Sequence, residues 1–339
     1  MNGATTEVMQ AIAVVLAFLT SCAVTLLITP SIKRLATAAR AVDDPARDER
    51  RIHTHPIPRL GGLALLLGVL FGTLIGWVSL ATSATLSQKL SMEIGMPWVG
   101  ILVGAICIAA IGALDDIFGL GAWVKLLGQI FVALLTTAFG ARILFFKLPA
   151  VEGYIYLSTA QSVFLTVFWI IVMVNAVNLI DGLDGLAAGV SFIAALTLCI
   201  LTFQQNILSV ACGLASVAGA CIGFLPYNFN PARIFMGDTG ALLLGYLFAT
   251  MSVVGTVKSA LAIWLLPITA VVLGYPIMDT LFAILRRASK LQPIFKADKA
   301  HLHHRLLQHG LTHRQAVLVL YALSFALCVA AYALSQLIF

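Results

Sequence analysis

Apolar residues run through this chain in long, nearly uninterrupted blocks. Ten such blocks, at about 8–30, 60–80, 98–114, 122–140, 161–179, 185–203, 207–226, 238–256, 260–284 and 315–338, carry almost no charge. Crossing a hydrocarbon core of roughly 30 Å takes about 20 apolar residues of helix, a length that these blocks approach. The pattern predicts an all-α, polytopic integral membrane protein with about ten transmembrane helices. No soluble domain of useful size fits between the blocks, so residues 1–339 are expected to form a single transmembrane domain, with its two long connections at 31–59 and 285–314.

Composition agrees with the pattern. Of 339 residues, 61% are hydrophobic and 10% charged, with a mean hydropathy of +1.03. In soluble domains about a quarter of residues are charged. Helix 1 is expected to remain as a span, because its first basic residues, Lys33 and Arg34, follow the apolar stretch instead of preceding it. The 6 cysteines all lie inside predicted spans and form no CxxC, so they read as small apolar side chains.

Charge orients the bundle, since Lys and Arg accumulate in cytoplasmic loops. With the N-terminus outside, the inner face receives sixteen of the 20 basic residues, and only Lys89, Arg142, Lys147 and Lys258 fall outside. Both termini are then external and the two long loops cytoplasmic. The net charge of +6 becomes a one-sided basic face suited to membrane lipids or phosphate, with no nucleic-acid partner expected.

On this map every aspartate and every histidine falls on the cytoplasmic side, and carboxylates beside a bilayer read as functional. Four motifs gather there. GALDDIFGL (112–120) ends helix 3 on two adjacent carboxylates, Asp115 and Asp116. Such a pair suits a divalent cation or proton abstraction, although Asp before a Gly-containing loop is also ordinary turn chemistry. NAVNLIDGLDGLAAG (175–189) spaces Asp181 and Asp184 three apart, with Asn178 nearby and glycines that admit a ligand. Asp184 can also be read as the N-cap of helix 6, which leaves Asp181 and the asparagines unexplained. YNFNPARIFMGDTGALLLG (227–245) brings Asn228, Asn230, Arg233, Phe235 and Asp238 to the start of helix 8, with Asp238 a candidate N-cap and the helix start a candidate phosphate site. KADKAHLHHRLLQHGLTHR (296–314) is basic and amphipathic; its His301, His303 and His304 lack the HExxH or Cys partners of a zinc site and fit better as donors to a diphosphate, and His309 and His313 read as a solvated basic loop.

Carboxylates for Mg²⁺, cationic and imidazole donors for phosphate oxygens, and a bilayer at hand together specify phosphoryl or glycosyl-phosphate transfer to a lipid. An ion-coupled transporter is the rival from another class, but it would carry acids near the bilayer midplane on broken helices, often in repeated halves, and no repeat is evident.

LDD at 114–116, NxxDGxDG at 178–185, PARIFMGDTG at 231–240 and HLHH at 301–304, in this order, resemble the polyprenyl-phosphate N-acetylhexosamine-1-phosphate transferase family, over about Val42 to Gln315. The resemblance implies a transmembrane catalytic domain in the bacterial cytoplasmic membrane that moves a sugar 1-phosphate from a UDP-sugar to undecaprenyl phosphate, releasing UMP, with Mg²⁺ or in its place Mn²⁺. It implies that Asp115, Asp116, Asp181 and Asp238 hold metal and act with His301 in catalysis. Asp43, Gly61, Gly62, Lys125, Asn178, Asp184, Asn228, Phe235, His303, His304 and Arg305 would bind substrate, with Phe235 stacking on uracil and Lys125 facing phosphate. Asp279 receives no role. The muramoyl-pentapeptide branch carries three consecutive histidines, whereas this chain reads His-Leu-His-His then Arg305. That resembles the branch using UDP-N-acetylglucosamine, which starts teichoic acid, O-antigen or related polymers; another UDP-N-acetylhexosamine, including UDP-MurNAc-pentapeptide, is the alternative donor. A homodimer is consistent with the family.

Overall fold

A computed structural model of the chain describes residues 3–43, 56–82, 94–146, 153–258, 265–289 and 302–338. Helices α1 (Gly3–Ala38), α2 (Gly61–Ala81), α3 (Met96–Phe118), α4 (Ala122–Ala138), α5 (Thr159–Ile180), α6 (Leu186–Gln204), α7 (Leu208–Asn228) and α8 (Gly237–Lys258) follow one another. They are succeeded by α9 (Leu265–Val272), α10 (Gly274–Ser289), α11 (Leu302–Gln308) and α12 (His313–Ile338). Two antiparallel two-residue ladders interrupt the series, β1 (Val42–Asp43) with β2 (Ile57–Pro58), and β3 (Phe145–Phe146) with β4 (Ile155–Tyr156).

Among the described residues eight helices are long and apolar enough to cross a membrane, or nine if α9 and α10, bent by 71° at Leu273, count as one. Of the continuous helix predicted at 260–284, residues 260–264 lie outside the described residues and the rest is two helices. α4 spans 17 residues, about 26 Å at 1.5 Å per residue, just under the core thickness. The connection expected at 31–59 is in part helix, because α1 continues through Pro30 to Ala38. Likewise α10 and α11 take up parts of 285–314.

The centre of the bundle is α7 and α8, each with 89% of its apolar window buried; α1 and α12 lie at the periphery with 22% and 28%. α7 reads LSVACGLASVAGACIGFLPYN, rich in residues small enough to let backbones meet, and a Cβ on Gly219 or Gly223 would run into the backbone of α1. Polar links fix the other contacts. Ser21 Oγ donates to the Ser216 carbonyl at 2.6 Å between α1 and α7, and the Thr136 and Tyr246 hydroxyls share a 2.7 Å bond between α4 and α8. Trp169 Nε1 donates to Ser252 Oγ at 3.1 Å between α5 and α8. Leu27, Phe118, Phe164 and Leu337 are bare on the outside, as an apolar solvent requires. The six cysteines are free, four of them buried.

Candidate active site

One end of the bundle collects the C-terminal ends of α1, α3, α5 and α7 and the N-terminal ends of α2, α4, α6, α8 and α12. An open cavity of about 970 Å³ lies there, bordered by the carboxylates of Asp116, Asp181 and Asp238 and by the cations Lys33, Arg59 and Arg233. Four sequence motifs far apart in the chain therefore meet at one place.

Asp116 ends α3 and spends its carboxylate on α8. Its Oδ1 accepts from the Asp238 N–H at 3.0 Å, and its Oδ2 accepts from the Thr239 N–H at 3.0 Å and the Thr239 hydroxyl at 2.6 Å. The first N–H groups of a helix have no partner within it, so Asp116 caps α8 from another helix. Gly237 makes this approach possible: its φ of +70° suits glycine, and a Cβ there would collide with the Asp116 carboxylate. Asp238, the N-cap expected from sequence, sits instead in the first turn.

Relieved of capping, Asp238 meets Lys125, whose Nζ lies 2.7 Å from Asp238 Oδ2 and 3.1 Å from Asp115 Oδ2. Asn178 Nδ2 donates to Asp238 Oδ1 at 3.2 Å. Lys125 thus bridges two carboxylates beside the cavity rather than facing into it, and Asp115 shares that position.

Asp181 follows the last residue of α5. Burial pushes its carboxyl up to about 8, the negative charges of Asp238, Asp116 and Asp184 add to the rise, and Arg59 opposes it. Among the described residues no three His, Cys, Asp or Glu side chains already form a metal-binding group. The donor chemistry nevertheless suits Mg²⁺. The carboxylates are hard oxygen donors, they outnumber the cations around them, and an ammonium already bridges two of them.

Asp184, which also borders the cavity, does not cap α6, whose N-cap is Gly185 without a side-chain bond. Asp184 Oδ2 accepts from Asn230 Nδ2 at 2.9 Å and the Ala232 N–H at 3.0 Å, fastening the segment around the cis Asn230–Pro231 peptide. Asn228 is buried and both ends of its amide are used, Oδ1 accepting from the Gly185 N–H at 3.1 Å and Nδ2 donating to the Ile234 carbonyl at 3.1 Å. Phe235 borders the cavity while its N–H donates to the Pro58 carbonyl at 2.8 Å. The N–H groups of Gly61 and Gly62 donate to the Phe235 and Met236 carbonyls at 3.0 and 2.9 Å. A Cβ on Gly62 would strike the Gly240 backbone, so these glycines clamp α2 to the start of α8 and do not border the cavity. Asp43, paired with Arg59, lies on its rim.

Of the histidine motif, His301 lies outside the described residues. His303 is buried on α11 with its ring against Gly182, where a Cβ would be 2.6 Å from Nε2, and His304 borders the cavity. Arg305 is exposed on α11 away from it. Asp279, without a role from sequence, accepts the Leu302 N–H at 2.9 Å and so ties the start of α11 to α10.

Among the cationic and imidazole side chains of the cavity, Lys33, Arg59, Arg233 and His313 were not assigned to the site from sequence, although Arg233 lies in one of the four motifs. His313 is not part of a solvated loop; it opens α12 and its Nε2 stands 4.0 Å from Asp184 Oδ1. The available signal was slight, a basic residue within a basic loop.

Comparison with known proteins is consistent with this arrangement. The profile of glycosyl transferase family 4 matches residues 98–256, from α3 through nearly all of α8. A protein of Bacillus subtilis (strain 168), named probable undecaprenyl-phosphate N-acetylglucosaminyl 1-phosphate transferase, is 41% identical over 326 residues, covering 96% of this chain and 86% of that protein. The decaprenyl-phosphate N-acetylglucosaminephosphotransferase of Mycobacterium tuberculosis (strain ATCC 25618 / H37Rv) is 38% identical, covering 89% of this chain and 78% of its own length. A phospho-N-acetylmuramoyl-pentapeptide-transferase of Staphylococcus saprophyticus is 32% identical over 74% of this chain and 77% of its own. With the similarity running along nearly the whole length and through the helices that carry the carboxylates, the chain belongs to glycosyl transferase family 4.

Proposed function

We propose that this protein transfers N-acetylglucosamine 1-phosphate from UDP-N-acetylglucosamine to undecaprenyl phosphate, forming undecaprenyl-diphospho-N-acetylglucosamine and UMP at the cytoplasmic face of a bacterial inner membrane. The observation that carries the reading is the meeting of Asp115, Asp116, Asp181 and Asp238 at the helix ends beside a cavity that Lys33, Arg59 and Arg233 also line. A site for two phosphate substrates needs that combination of hard acids and cations. The relatives named for N-acetylglucosamine support the donor, and the Arg305 that follows the histidines agrees with it.

In a single displacement, a phosphate oxygen of the lipid attacks the β-phosphorus of the UDP-sugar. The new P–O bond forms as the bond to UMP breaks, and UMP leaves with the electron pair. A phosphate monoester has a second pKa of about 6, so at neutral pH the lipid is largely dianionic and needs little help from a base. Asp181 and Asp238 would hold Mg²⁺, with Asp115 able to join them as Lys125 turns away. When bound, the ion neutralises charge on the diphosphate. Asp116, with both oxygens committed to α8, positions Asp238. Lys33, Arg59 and Arg233 would receive the diphosphate oxygens together with His304, Asp184 would hold the loop that carries the uracil site, and Phe235 would stack on the base.

The test is UMP release by purified protein from UDP-N-acetylglucosamine, undecaprenyl phosphate and Mg²⁺, with and without EDTA. UMP formed only when lipid and metal are both present is the expected result. Release from a different UDP-hexosamine alone would move the protein to another donor, the reading that the muramoyl-pentapeptide relative keeps open. No release from any donor by folded protein would end the transferase reading and return transport to consideration. Positional isotope exchange in UDP-sugar without lipid would replace single displacement by a covalent aspartyl intermediate.

A further inference from the structure

Outside the catalytic cavity, a second recess of about 670 Å³ opens on the flank of the bundle, between the C-terminal part of α1 and the α7–α8 connection. Pro30 shapes its wall. Having no N–H, Pro30 cannot donate to the Leu26 carbonyl four residues earlier, and the Tyr227 hydroxyl donates to it instead at 3.1 Å. This bond ties α7 to α1 where α1 carries its basic residues.

Lys33, Arg34 and Arg233 line the recess, and among the described residues no acid does and none of the three makes an ion pair with a carboxylate. Three cations around a hollow whose own lining holds no acid favour an anion there. The hollow lies just past the apolar part of α1, and below it Leu19, Leu26 and Leu27 are bare on the bundle exterior. A ligand resting there would meet positive charge at one end and hydrocarbon-facing helix at the other. Lys33 and Arg233 border the catalytic cavity as well, so the two hollows adjoin.

We infer that this recess binds the phosphate head of an anionic lipid, whose chain lies along the outer face of α1. The chemistry is shared by a bilayer phospholipid and by a polyprenyl phosphate, and the recess would take such a head whichever sugar nucleotide the catalytic cavity accepts. Juxtamembrane Lys and Arg attract anionic lipid in this way.

Arg34 separates this site from the catalytic one, because it borders only the recess and its side chain is exposed. The experiment is native mass spectrometry of the full chain in detergent, titrated with phosphatidylglycerol, phosphatidylcholine or undecaprenyl phosphate, for the unaltered protein and for Arg34→Glu and Arg34→Lys. The expected result is a loss of about tenfold in affinity for an anionic lipid in Arg34→Glu, near-normal binding in Arg34→Lys, and unchanged phosphatidylcholine binding. Thermal unfolding of Arg34→Glu should match the unaltered protein. Loss confined to phosphatidylglycerol identifies a bilayer phospholipid as the occupant, loss confined to undecaprenyl phosphate identifies a polyprenyl phosphate, and loss of both identifies a site they share. Equal affinity of the unaltered protein and Arg34→Glu for both anionic lipids overturns the inference, as does an equal loss of phosphatidylcholine.

Discussion

Asp116 and Asp238 exchange the roles that their sequence positions suggest. Asp238 reads from sequence as the N-cap but sits in the first turn, and Asp116 from α3 caps α8 and leaves Asp238 to Lys125 and Asn178. Asp116→Asn would put an NH₂ group against N–H donors that now have an acceptor. A loss on the order of 1–3 kcal/mol in stability is expected, with a fall in UMP release larger than the unfolded fraction explains. Thermal unfolding in detergent alongside the UMP assay checks both. Asp181 carries the pH dependence. Its folded carboxyl, at about 8, lies above the unfolded value of about 4, so the folded protein keeps a proton that the unfolded chain gives up. The associated stability is fully present below pH about 4 and is lost progressively as pH rises to about 8. In metal-free protein, Asp181→Asn should therefore flatten the decline in melting temperature between pH 5 and pH 9, and added Mg²⁺ at pH 9 should raise the melting temperature of the unaltered protein more than that of the variant. Parallel declines in both proteins would remove Asp181 as the source.

Elements meet at this site through backbone as much as through side chains. The start of α2 hydrogen-bonds to the strand-like run before α8, and Gly62 lies close enough to Gly240 that no side chain fits between them. Gly62→Ala is expected to cost about 1–3 kcal/mol by overpacking and to lower UMP release by moving Phe235 and Asp238 together. A melting curve and the Michaelis constant for the UDP-sugar, both altered, are the signature. α11 depends on a different device, a carboxylate from α10 that accepts its first N–H. Asp279→Ala should loosen α11, read as faster amide exchange around His303 and His304 than elsewhere in the bundle. The break between α9 and α10 was not drawn from the apolar block, since apolar residues continue on both sides of Leu273 even though α10 also carries Asp279 and two arginines, and a change of direction by itself leaves hydropathy unchanged.

For the molecule as a whole, one end of the bundle carries the carboxylates, and we propose from the charge bias that this end faces the cytoplasm. Alkaline phosphatase joined after Phe339 should then be active and a fluorescent protein at the same place dark; the reverse pattern would invert the orientation. The central position of α7 and α8 has a functional consequence, because both deliver site residues from their buried ends: Asn228 from one, Asp238 from the other.

Membrane character, the approximate spans and the residues that gather at one end were legible in the chain, because about 20 apolar residues in a row admit few other uses and because hydrophobic blocks of alternating direction force Asp115, Asp181 and Asp238 to the same side. The division of labour among those residues was not. Which carboxylate caps α8, that Lys125 bridges Asp115 and Asp238, that Asp184 fastens the Asn230–Ala232 segment and that His313 stands beside it all depend on contacts between residues 10 to 129 positions apart. Local pattern ranks each aspartate by its neighbours in the chain; only packing in three dimensions determines which N–H or ammonium each oxygen meets, and a carboxylate already satisfied by a helix end is a different reagent from one held among other acids.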